Sequence, residues 1–277
     1  MSEFPGRVAV VTGAGSGIGR ALALDLASRG ARLALSDVDS VGLAETVAAV
    51  TARGAEVRSD HLDVSERAGV LDYAETVRSH FGVVNQIYNN AGIAHHGDVE
   101  RTEFKDFERI VDVDFWGVVN GTKAFLPHLI ESGDGHVVNV SSLFGLLAIP
   151  SQSAYNAAKF AVRGFTEALR QEMLISGKPV RVTCVHPGGI KTAIARNATV
   201  TDDHDQRTVA EMFDRKLART TPEAAARTIL TGVQKNKARV LIGADAKALD
   251  ILVRVAGPHY QDLVAKVTGR IMPKPVA

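Results

Sequence analysis

The chain has 277 residues, of which 45% are hydrophobic and 23% are charged, and its formal net charge is +1 at pH 7. This is the balance of an ordinary globular domain, and the near-zero charge excludes the strongly basic surface of nucleic-acid-binding proteins. No apolar stretch reaches the roughly 18 uncharged residues that cross a bilayer, so we expect no integral membrane segment. Residues 1–7 lack the apolar core of a signal peptide, and we expect a cytoplasmic protein. The single cysteine, Cys184, excludes an internal disulfide, and its apolar surroundings predict a buried thiol.

Short apolar runs alternate with longer segments of helical periodicity from the start of the chain. Residues 8–11 predict a buried first strand, which ends in a cluster of glycines. Ile18, Leu22 and Leu26 then recur at helical spacing up to Gly30, which predicts the first helix. The same reasoning predicts strands at 33–35, about 56–61 and 83–88, and helices at 41–52 and 104–130, the last with Pro127 near its end.

The second half continues the alternation. A long helix is predicted at 153–175 between strands at 137–140 and 180–185. Thr221-Pro222-Glu223 predicts a helix start, because it places a capping hydroxyl before a proline at the first helical position and an acid in the first turn. Residues 239–242 are predicted to form a seventh strand.

This order of elements predicts an α/β fold with a doubly wound, mainly parallel seven-stranded sheet and helices on both faces. Because no repeat or low-complexity linker divides the chain, we expect one domain over residues 1–277. It would include a mobile substrate loop at about 193–220 and a C-terminal extension at about 245–277. Ligands bind beyond the carboxyl ends of the strands in such folds, where every motif below is expected to lie.

A glycine-rich turn at residues 12–20 joins the first strand to the first helix. Glycine permits the tight turn and lets a pyrophosphate approach backbone N–H groups at a helix N-terminus. The spacing is Gly13-x-x-x-Gly17-x-Gly19, and Ile18 stands where the common G-x-G-x-x-G pattern needs glycine. A plain strand-to-helix turn would explain the glycines alone, but their position between strand and amphipathic helix favours a dinucleotide site.

Asp37 ends the second predicted strand, where a carboxylate can accept hydrogen bonds from ribose hydroxyls and would repel the 2′-phosphate of NADP. It could instead only cap the next turn. Arg20 and Arg32 are the nearest cations that would argue for NADP. Because neither takes the place of Asp37 at the strand end, the sequence favours NAD.

Tyr155 and Lys159 are four residues apart in a predicted helix and therefore share one face. Free tyrosine has a pKa of about 10 and is a poor base near neutrality, but an adjacent ammonium, together with the positive nicotinamide of an oxidised cofactor, lowers that pKa. Tyr155 could then take a proton from an alcohol or return it to an alkoxide, while Ser142 holds the same oxygen. A Tyr-x-x-x-Lys pair alone is usually structural, so the combination of motifs carries the argument.

Together these motifs resemble the short-chain dehydrogenase/reductase family, in its short single-domain branch, from residue 7 to about 192. The resemblance rests on five motifs in the family's order, which are 12–19, 89–92, Ser142, Tyr155-x-x-x-Lys159 and 187–192. It implies a Rossmann-type fold, NAD(P)-dependent oxidoreductase activity and a homodimer or homotetramer whose interface includes the helix of Tyr155.

The resemblance also implies a role for each matched residue. Ser142, Tyr155 and Lys159 would be catalytic, Tyr155 and Lys159 would also contact the cofactor, and Asp37 would bind the adenosine ribose. The other cofactor-binding residues would be Gly13, Ser16, Gly17, Ile18 and Gly19 in the pyrophosphate turn, Asp63 and Val64 beside adenine, Asn90, Ala91 and Gly92 at a strand end, and Pro187, Gly188, Ile190 and Thr192 after the sixth predicted strand, with Thr192 at the carboxamide or phosphate side.

Asp114 departs from the family's pattern, which usually has asparagine at this place. In the family, the main-chain carbonyl of that residue holds a water in the proton relay to the lysine. A main-chain role survives the change to aspartate, so we include Asp114 among the catalytic residues. Its charge would alter the electrostatics around Lys159 unless it is protonated or paired.

Other segments are less specific. His95 and His96 are expected in an exposed loop rather than in contact with substrate, whereas residues 143–149 suit core packing and an apolar pocket wall equally well. Residues 249–272 mix apolar and basic side chains, which favours packing or partner contact over a membrane surface. No group of histidines, acids and cysteine has metal-ligand spacing, so we expect no catalytic metal.

The leading hypothesis is an oxidoreductase that transfers a hydride between NAD(H) and a secondary alcohol or ketone of apolar character. An NADP-dependent carbonyl reductase and a non-catalytic dinucleotide-binding sensor or regulator are the alternatives. The presence of Ser142, Tyr155 and Lys159 favours an enzyme, and Asp114 is the main support for a sensor. The sequence does not identify the substrate.

Overall fold

A computed structural model describes residues 4–202, 205–216 and 218–271. Its central feature is a sheet of seven strands, and every pairing in it is parallel. The predicted fold class is therefore confirmed, with a sheet that is wholly rather than mainly parallel. The described strands are β1 (Val8–Thr12), β2 (Arg32–Asp37), β3 (Val57–His61), β4 (Gln86–Asn89), β5 (His95–His96), β6 (Gly135–Val140), β7 (Val180–Pro187), β8 (Thr199–Val200) and β9 (Arg239–Ile242). The seven-stranded sheet has the order β3-β2-β1-β4-β6-β7-β9, and β5 and β8 form a separate two-stranded sheet.

The helices largely follow the predicted pattern. The capping hydroxyl of Thr221 accepts a hydrogen bond from the Ala224 amide at 3.2 Å and starts α8 as expected. The long helix predicted at 104–130 is interrupted by a π-helical segment, Asp112–Trp116. The helices are α1 (Gly17–Ser28), α2 (Ser40–Thr51), α3 (Arg67–Phe81), α4 (Phe104–Val111), α5 (Gly117–Glu131), α6 (Ser153–Ser176), α7 (Gln206–Lys216), α8 (Pro222–Gln234), α9 (Ala244–Ala256) and α10 (Tyr260–Ile271).

Helix α3 was not among the predicted elements. Its sequence nevertheless carries a helical signal, because buried side chains recur three or four residues apart. These residues are Val70, Tyr73, Ala74, Val77 and Phe81.

Two hydrophobic cores lie on opposite faces of the sheet, because successive side chains of a strand point to opposite faces. Along β1, Ala9 and Val11 join one core, where helices α1 and α8 pack. Val8 and Val10 join the other, against helices α3, α5 and α6. Because both faces are covered, β1 is buried at all five of its residues rather than at alternating ones.

The parallel arrangement brings the carboxyl ends of the strands to one edge of the sheet. Strands β1, β2, β4, β6 and β7 end at Thr12, Asp37, Asn89, Val140 and Pro187. The segments that follow these residues are the ones that the sequence marks as functional. They therefore lie near one another in the fold.

His95 and His96 are buried, with 4% and 2% of their surface exposed, so the expectation of exposed loop histidines was wrong. They form β5, which pairs with β8 from the predicted substrate loop. The ring Nδ1 of His95 lies 2.8 Å from the Thr199 hydroxyl. A pairing across about a hundred residues of sequence leaves no local signal, which is why the sequence did not predict this burial.

The predicted loop at 193–220 contains β8 and α7, and its residues 203, 204 and 217 lie outside the described part of the chain. The predicted extension at 245–277 forms α9 and α10, separated by a turn of 3-10 helix at Gly257–His259, and residues 272–277 lie outside the description. Among the helices described, none is long and apolar enough to cross a membrane. Cys184 is 1% exposed, which confirms the predicted buried thiol.

Candidate active site

The glycines after β1 are required by the packing of the turn. Gly13 has a φ of +65°, and a Cβ atom there would lie 2.8 Å from the Cα of Ala91. A Cβ on Gly19 would overlap the carbonyl oxygen of Gly13. The turn therefore lies directly against the strand-end segment of Ala91, and both positions need glycine.

The turn delivers the chain to the N-terminus of α1. Ser16 precedes this helix in extended backbone, its side chain makes no capping hydrogen bond, and no acidic residue occupies the first turn. The first N–H groups of the helix are thus left for an anion, which fits the pyrophosphate of a dinucleotide. The side chain of Ile18 is partly buried and packs against the core, and its backbone lies in the first turn of the helix.

Asp37 lies beside this turn, as the sequence predicts. Its Oδ2 accepts a hydrogen bond from the Gly15 amide at 2.7 Å, and its Oδ1 accepts one from the Asp39 amide at 2.9 Å. A Cβ on Gly15 would lie 2.9 Å from Asp37 Oδ2. These contacts fix the carboxylate at the edge of the turn, where it can meet the ribose of a dinucleotide.

The two arginines considered as signals for NADP make other contacts. The Arg20 guanidinium donates to the carbonyl oxygens of Gly15 and Gly42 at 2.6 and 3.0 Å, and it pairs with Glu45 at 2.8 Å. Arg32 stands at the opposite end of β2 from Asp37 and lies over the ring of Phe81. Arg32 is thus remote from the turn, and Arg20 is held within it by the protein itself.

Asn90 and Ala91 join β4 to the end of β1. The Asn90 side chain donates to the carbonyl oxygens of Thr12 and Gly13 at 3.0 and 3.2 Å. The backbone amides of Asn90 and Ala91 both donate to the Thr12 hydroxyl, at 3.0 and 3.1 Å. Asn90 therefore acts as the predicted strand-end support, by holding the glycine turn in place.

Asp63 and Val64 follow β3, beside the strand that ends in Asp37. The Asp63 carboxylate accepts from the amide and hydroxyl of Ser65, at 2.9 and 2.6 Å, and pairs with Arg109 at 3.1 Å. Burial acts to raise the pKa of Asp63, but these contacts outweigh it and the pKa is lowered. The Val64 side chain is buried against Gly117, so this pair forms a fixed wall at the predicted adenine side.

Helix α6 carries Tyr155 and Lys159 on one face, as their spacing predicts. Both side chains are buried, and the Lys159 Nζ lies 5.4 Å from the centroid of the Tyr155 ring. Ser142 follows β6, and its side-chain oxygen accepts from the Phe144 amide at 3.1 Å. The ring of Phe144 packs edge-to-face on Tyr155 at 6.3 Å. The three predicted catalytic residues are thus brought together at the end of β6.

The pKa of the Tyr155 phenol lies above its ordinary value, so the Lys159 ammonium does not produce the expected lowering by itself. Burial is the largest cause, and the negative charge of Asp114 adds to it. The Lys159 ammonium and the Ser142 hydroxyl act in the predicted direction, but they do not outweigh burial. A dry environment disfavours the charged phenolate, and spacing along a helix does not reveal how dry the site is.

Asp114 lies in the same cluster and forms an ion pair with Lys159, at 3.0 Å between Oδ2 and Nζ. Its other oxygen accepts from the Ile93 amide at 2.8 Å. Burial raises the pKa of Asp114, while Lys159 and Ile93 oppose that rise. Burial alone would lower the pKa of Lys159, but Asp114 and Tyr155 outweigh it and raise that pKa. The charge of Asp114 is therefore paired, as one of the two outcomes expected from the sequence.

The segment after β7 returns to the glycine turn. The Gly188 amide donates to Ile242 at 2.9 Å, which attaches the segment that follows Pro187 to the end of β9. The Ile190 side chain is buried in the core, so only its backbone is available to a ligand. Thr192 lies against the pyrophosphate turn, since a Cβ on Gly17 would be 3.1 Å from the Thr192 methyl group.

Two residues that shape the site were missed by sequence reasoning. Asp245 accepts from the Gly189 amide at 2.8 Å, and its position as an acid in the first turn of α9 was an available signal. His186 is fully buried, its Nδ1 lies 2.9 Å from the carbonyl oxygen of Ser142, and burial lowers its pKa to about 4. A neutral His186 donates from Nδ1 and fixes the backbone of the serine. No feature of the sequence marks it.

Within residues 4–202, 205–216 and 218–271, no group of three or more histidine, cysteine or acidic side chains is placed to hold a metal ion.

Comparisons with known proteins agree with this geometry. The family model for short chain dehydrogenases matches residues 7–203. SadH of Mycobacterium tuberculosis, a protein named as an oxidoreductase, is 67% identical over 273 residues, which cover 99% of each chain. Levodione reductase of Leifsonia aquatica is 38% identical over 216 residues, which cover 76% of this chain and 80% of that protein.

A crystal structure of a short chain dehydrogenase/reductase from Burkholderia phymatum in complex with NAD superposes with a TM-score of 0.87 at 32% identity. The match covers 94% of this chain and 97% of that one. With the motifs, the parallel sheet and the buried serine, tyrosine and lysine in place, the chain belongs to the short-chain dehydrogenase/reductase family of oxidoreductases.

Proposed function

We propose that this protein transfers a hydride between NAD(H) and an apolar secondary alcohol or ketone, with Tyr155 as the general acid and base. The observation that carries the proposal is the buried cluster of Ser142, Tyr155 and Lys159 at the carboxyl edge of the sheet. If Tyr155 and Lys159 had only a structural role, they would not need the hydroxyl of Ser142 at the end of the neighbouring strand. In proton transfer to a substrate oxygen, by contrast, Tyr155 moves the proton, Lys159 stabilises the phenolate and Ser142 holds the oxygen.

The residues of the proposed reaction have separate tasks. A bound nicotinamide supplies the hydride chemistry. Tyr155 takes the hydroxyl proton during oxidation of the alcohol, or donates it to the oxygen during reduction of the ketone. The Ser142 hydroxyl holds that same oxygen, and Lys159 stabilises the phenolate and bonds the ribose next to the nicotinamide. The backbone of Asp114 supports the proton relay in this scheme.

NAD is the proposed cofactor, and NADP is the less favoured one. The uncapped N-terminus of α1 and the fixed carboxylate of Asp37 suit a pyrophosphate and a ribose diol. The contacts of Arg20 with Gly15, Gly42 and Glu45 do not favour a phosphate on the 2′ position. The Burkholderia phymatum relative was solved with NAD, which supports the same choice.

The surroundings of Tyr155 support an apolar substrate. Its cluster includes Ala94, Phe107 and Phe144, so the carbon skeleton next to the reacting oxygen would meet aliphatic and aromatic surface. The name of the related levodione reductase states a reduction, which suits a ketone as one partner of the reaction.

A homodimer or homotetramer is part of the proposal. Phe104, Trp116 and Phe160 are exposed by 86%, 41% and 38%. They belong to α4, the π-helical segment and α6, which are packed together. Large aromatic side chains exposed on neighbouring elements are typical of a surface that a partner covers.

Tyr155→Phe tests the proposal by removing one oxygen atom. We expect kcat for oxidation of secondary alcohols to fall by a factor of about 10² to 10⁴, because a general acid and base is lost. NAD should still bind, and quenching of the protein's fluorescence measures this binding. Tyr73→Phe is the matched control, because it removes a buried phenol oxygen from the core beside α3.

Equal turnover by native protein and Tyr155→Phe would refute the assigned role of Tyr155. NAD binding without turnover of any alcohol or ketone, by either protein, would instead favour the non-catalytic sensor. Turnover with NADP but not NAD would favour the carbonyl reductase.

A further inference from the structure

The ion pair between Asp114 and Lys159 places a second charge inside the proton-transfer centre. The two side chains are 0% and 4% exposed. Charges removed from water are weakly screened, and salt in the solvent reduces their interaction little. Lys159 therefore acts on Tyr155 while its ammonium is in contact with the carboxylate of Asp114.

The carboxylate is held from two sides. The Oδ1 of Asp114 accepts a hydrogen bond from the Ile93 amide, and its Oδ2 contacts the Lys159 ammonium. Gly92 passes so close that a Cβ there would lie 3.3 Å from both Asp114 Oδ1 and Lys159 Nζ. Asp114 itself lies in the π-helical segment, a local distortion of the helix that often accompanies functional residues. The backbone at Gly92 and Ile93 and the π-helical segment therefore hold the pair of Asp114 and Lys159 in place.

An ammonium has three N–H donors. The Lys159 nitrogen forms an ion pair with Asp114 Oδ2 at 3.0 Å and donates to the carbonyl oxygen of Val140 at 3.4 Å. At least one donor then remains for a ribose hydroxyl or for the phenol oxygen. Asp114 therefore determines how Lys159 is oriented as well as how much net charge faces Tyr155.

We propose that Asp114 is a positioning residue for Lys159, whose carboxylate orients the ammonium and offsets its charge toward Tyr155, so that proton transfer occurs in a more alkaline pH range than Lys159 alone would set. This inference rests on the proposed function of Tyr155. Since oxidation and reduction share one equilibrium, Asp114 shifts the pH range of both directions together and does not favour either.

Few other groups around Tyr155 and Lys159 are expected to gain or lose a proton between about pH 5 and 10. Tyr155 is influenced by Lys159 of its own helix, by Asp114 and by Ser142 of the β6 end. From β7, Cys184 faces Lys159, and burial raises the pKa of its thiol to about 12. His186 holds the Ser142 backbone, and its pKa of about 4 keeps it neutral.

Asp114→Asn tests the proposal, because it removes the charge and keeps the size of the side chain. We expect the pKa that governs the rise of kcat/KM for alcohol oxidation with pH to fall by about one unit or more. Asp112→Asn is the matched control: it makes the same change in the same π-helical segment on an exposed side chain, and it should leave the profile unchanged.

A second readout does not depend on turnover. Phenolate absorbs near-ultraviolet light, and the Tyr155 step is the difference between alkaline titrations of a protein and its Tyr155→Phe form. In the Asp114→Asn background this step should move to lower pH by the same amount as the kinetic profile. Asp114→Ser, which also removes the charge, replaces Asp114→Asn if the latter does not fold.

An unchanged Tyr155 step in the charge-removed protein would overturn the proposal, as would an equal shift in Asp112→Asn. If no alcohol or ketone is turned over, the kinetic arm fails with the proposed function. A shifted phenol step would then still establish the coupling of Asp114 to Tyr155.

Discussion

Asp37 is the residue on which the choice of dinucleotide rests. Its carboxylate is fixed by the amides of Gly15 and Asp39 and lies beside the turn that precedes α1. A fixed carboxylate can accept two ribose hydroxyl hydrogen bonds, and the same charge opposes a 2′-phosphate. Cofactor preference is thus expected to depend on one side chain.

We predict that Asp37→Ser lowers the ratio of kcat/KM with NAD to that with NADP by about 10- to 100-fold. The estimate corresponds to the roughly 1.5 to 3 kcal/mol of a hydrogen bond to a charged group. Steady-state kinetics with both cofactors measure the ratio. Asp39→Ser is the control, because its hydroxyl can still cap α2. An unchanged ratio in Asp37→Ser would show that Asp37 only shapes the turn.

The loop after Ser142 and the C-terminal helices form one structural unit. Leu143, Leu146 and Leu147 are buried in a cluster with side chains of α9 and α10, while Phe144 turns toward Tyr155. Core packing is therefore confirmed for the three leucines, and a pocket wall for an apolar substrate stays a prediction for Phe144. The hydroxyl of Tyr260 accepts from the Ala148 amide at 3.2 Å and attaches α10 to this loop.

Tyr260→Phe should loosen that attachment while it leaves the packing of the ring. We expect KM for the alcohol to rise several-fold at saturating NAD, because the loop borders the substrate side of Tyr155. The free energy of unfolding should fall by only about 1 kcal/mol, the contribution of one neutral hydrogen bond. Tyr73→Phe again serves as the control, and an equal rise in KM there would contradict the role of the α10 contact.

The π-helical segment Asp112–Trp116 interrupts a long helix next to the candidate active site. Residues 104–130 have the periodicity of one continuous helix, and the chain instead forms α4, the π-helical segment and α5. The change in register at the π turn accompanies the placement of Asp114 against Lys159 on α6.

At the scale of the whole molecule, two buried histidines link stability to pH. His136 and His186 are fully buried, and burial lowers their pKa values to about 3 and about 4. In the unfolded chain, histidine titrates with a pKa of about 6.5. The unfolded state therefore binds more protons below pH 6.5, so stability is complete above that pH and is lost as the pH falls toward the folded pKa values.

We predict that the free energy of unfolding decreases between pH 6.5 and pH 5 by about 2 kcal/mol for each of these histidines. Urea titrations at both pH values measure this decrease. In His136→Gln, whose amide can still reach the Thr183 hydroxyl, about half of the decrease should disappear. A decrease of the same size in native protein and variant would show that other groups cause it. The carboxyl groups with lowered pKa values, such as Asp134, contribute at lower pH.

The sequence by itself determined the order of the seven sheet strands along the chain, the fold class and the segments that meet at the carboxyl edge of the sheet. These features are local: apolar runs form β1 and β7, glycines form the turn before α1, and a spacing of four residues puts Tyr155 and Lys159 on one face. Because parallel strands end at one edge, local motifs at strand ends are sufficient to predict a shared site.

Only the tertiary structure decided the contacts between distant segments. It paired Asp114 with Lys159, buried His95 and His96 against β8, and joined Asp245 to the segment after β7. It also determined the pKa of Tyr155, because burial outweighed the charge of its helical neighbour. Burial and charge pairing depend on which segments meet in space, and the periodicity of a segment carries no record of its distant partners.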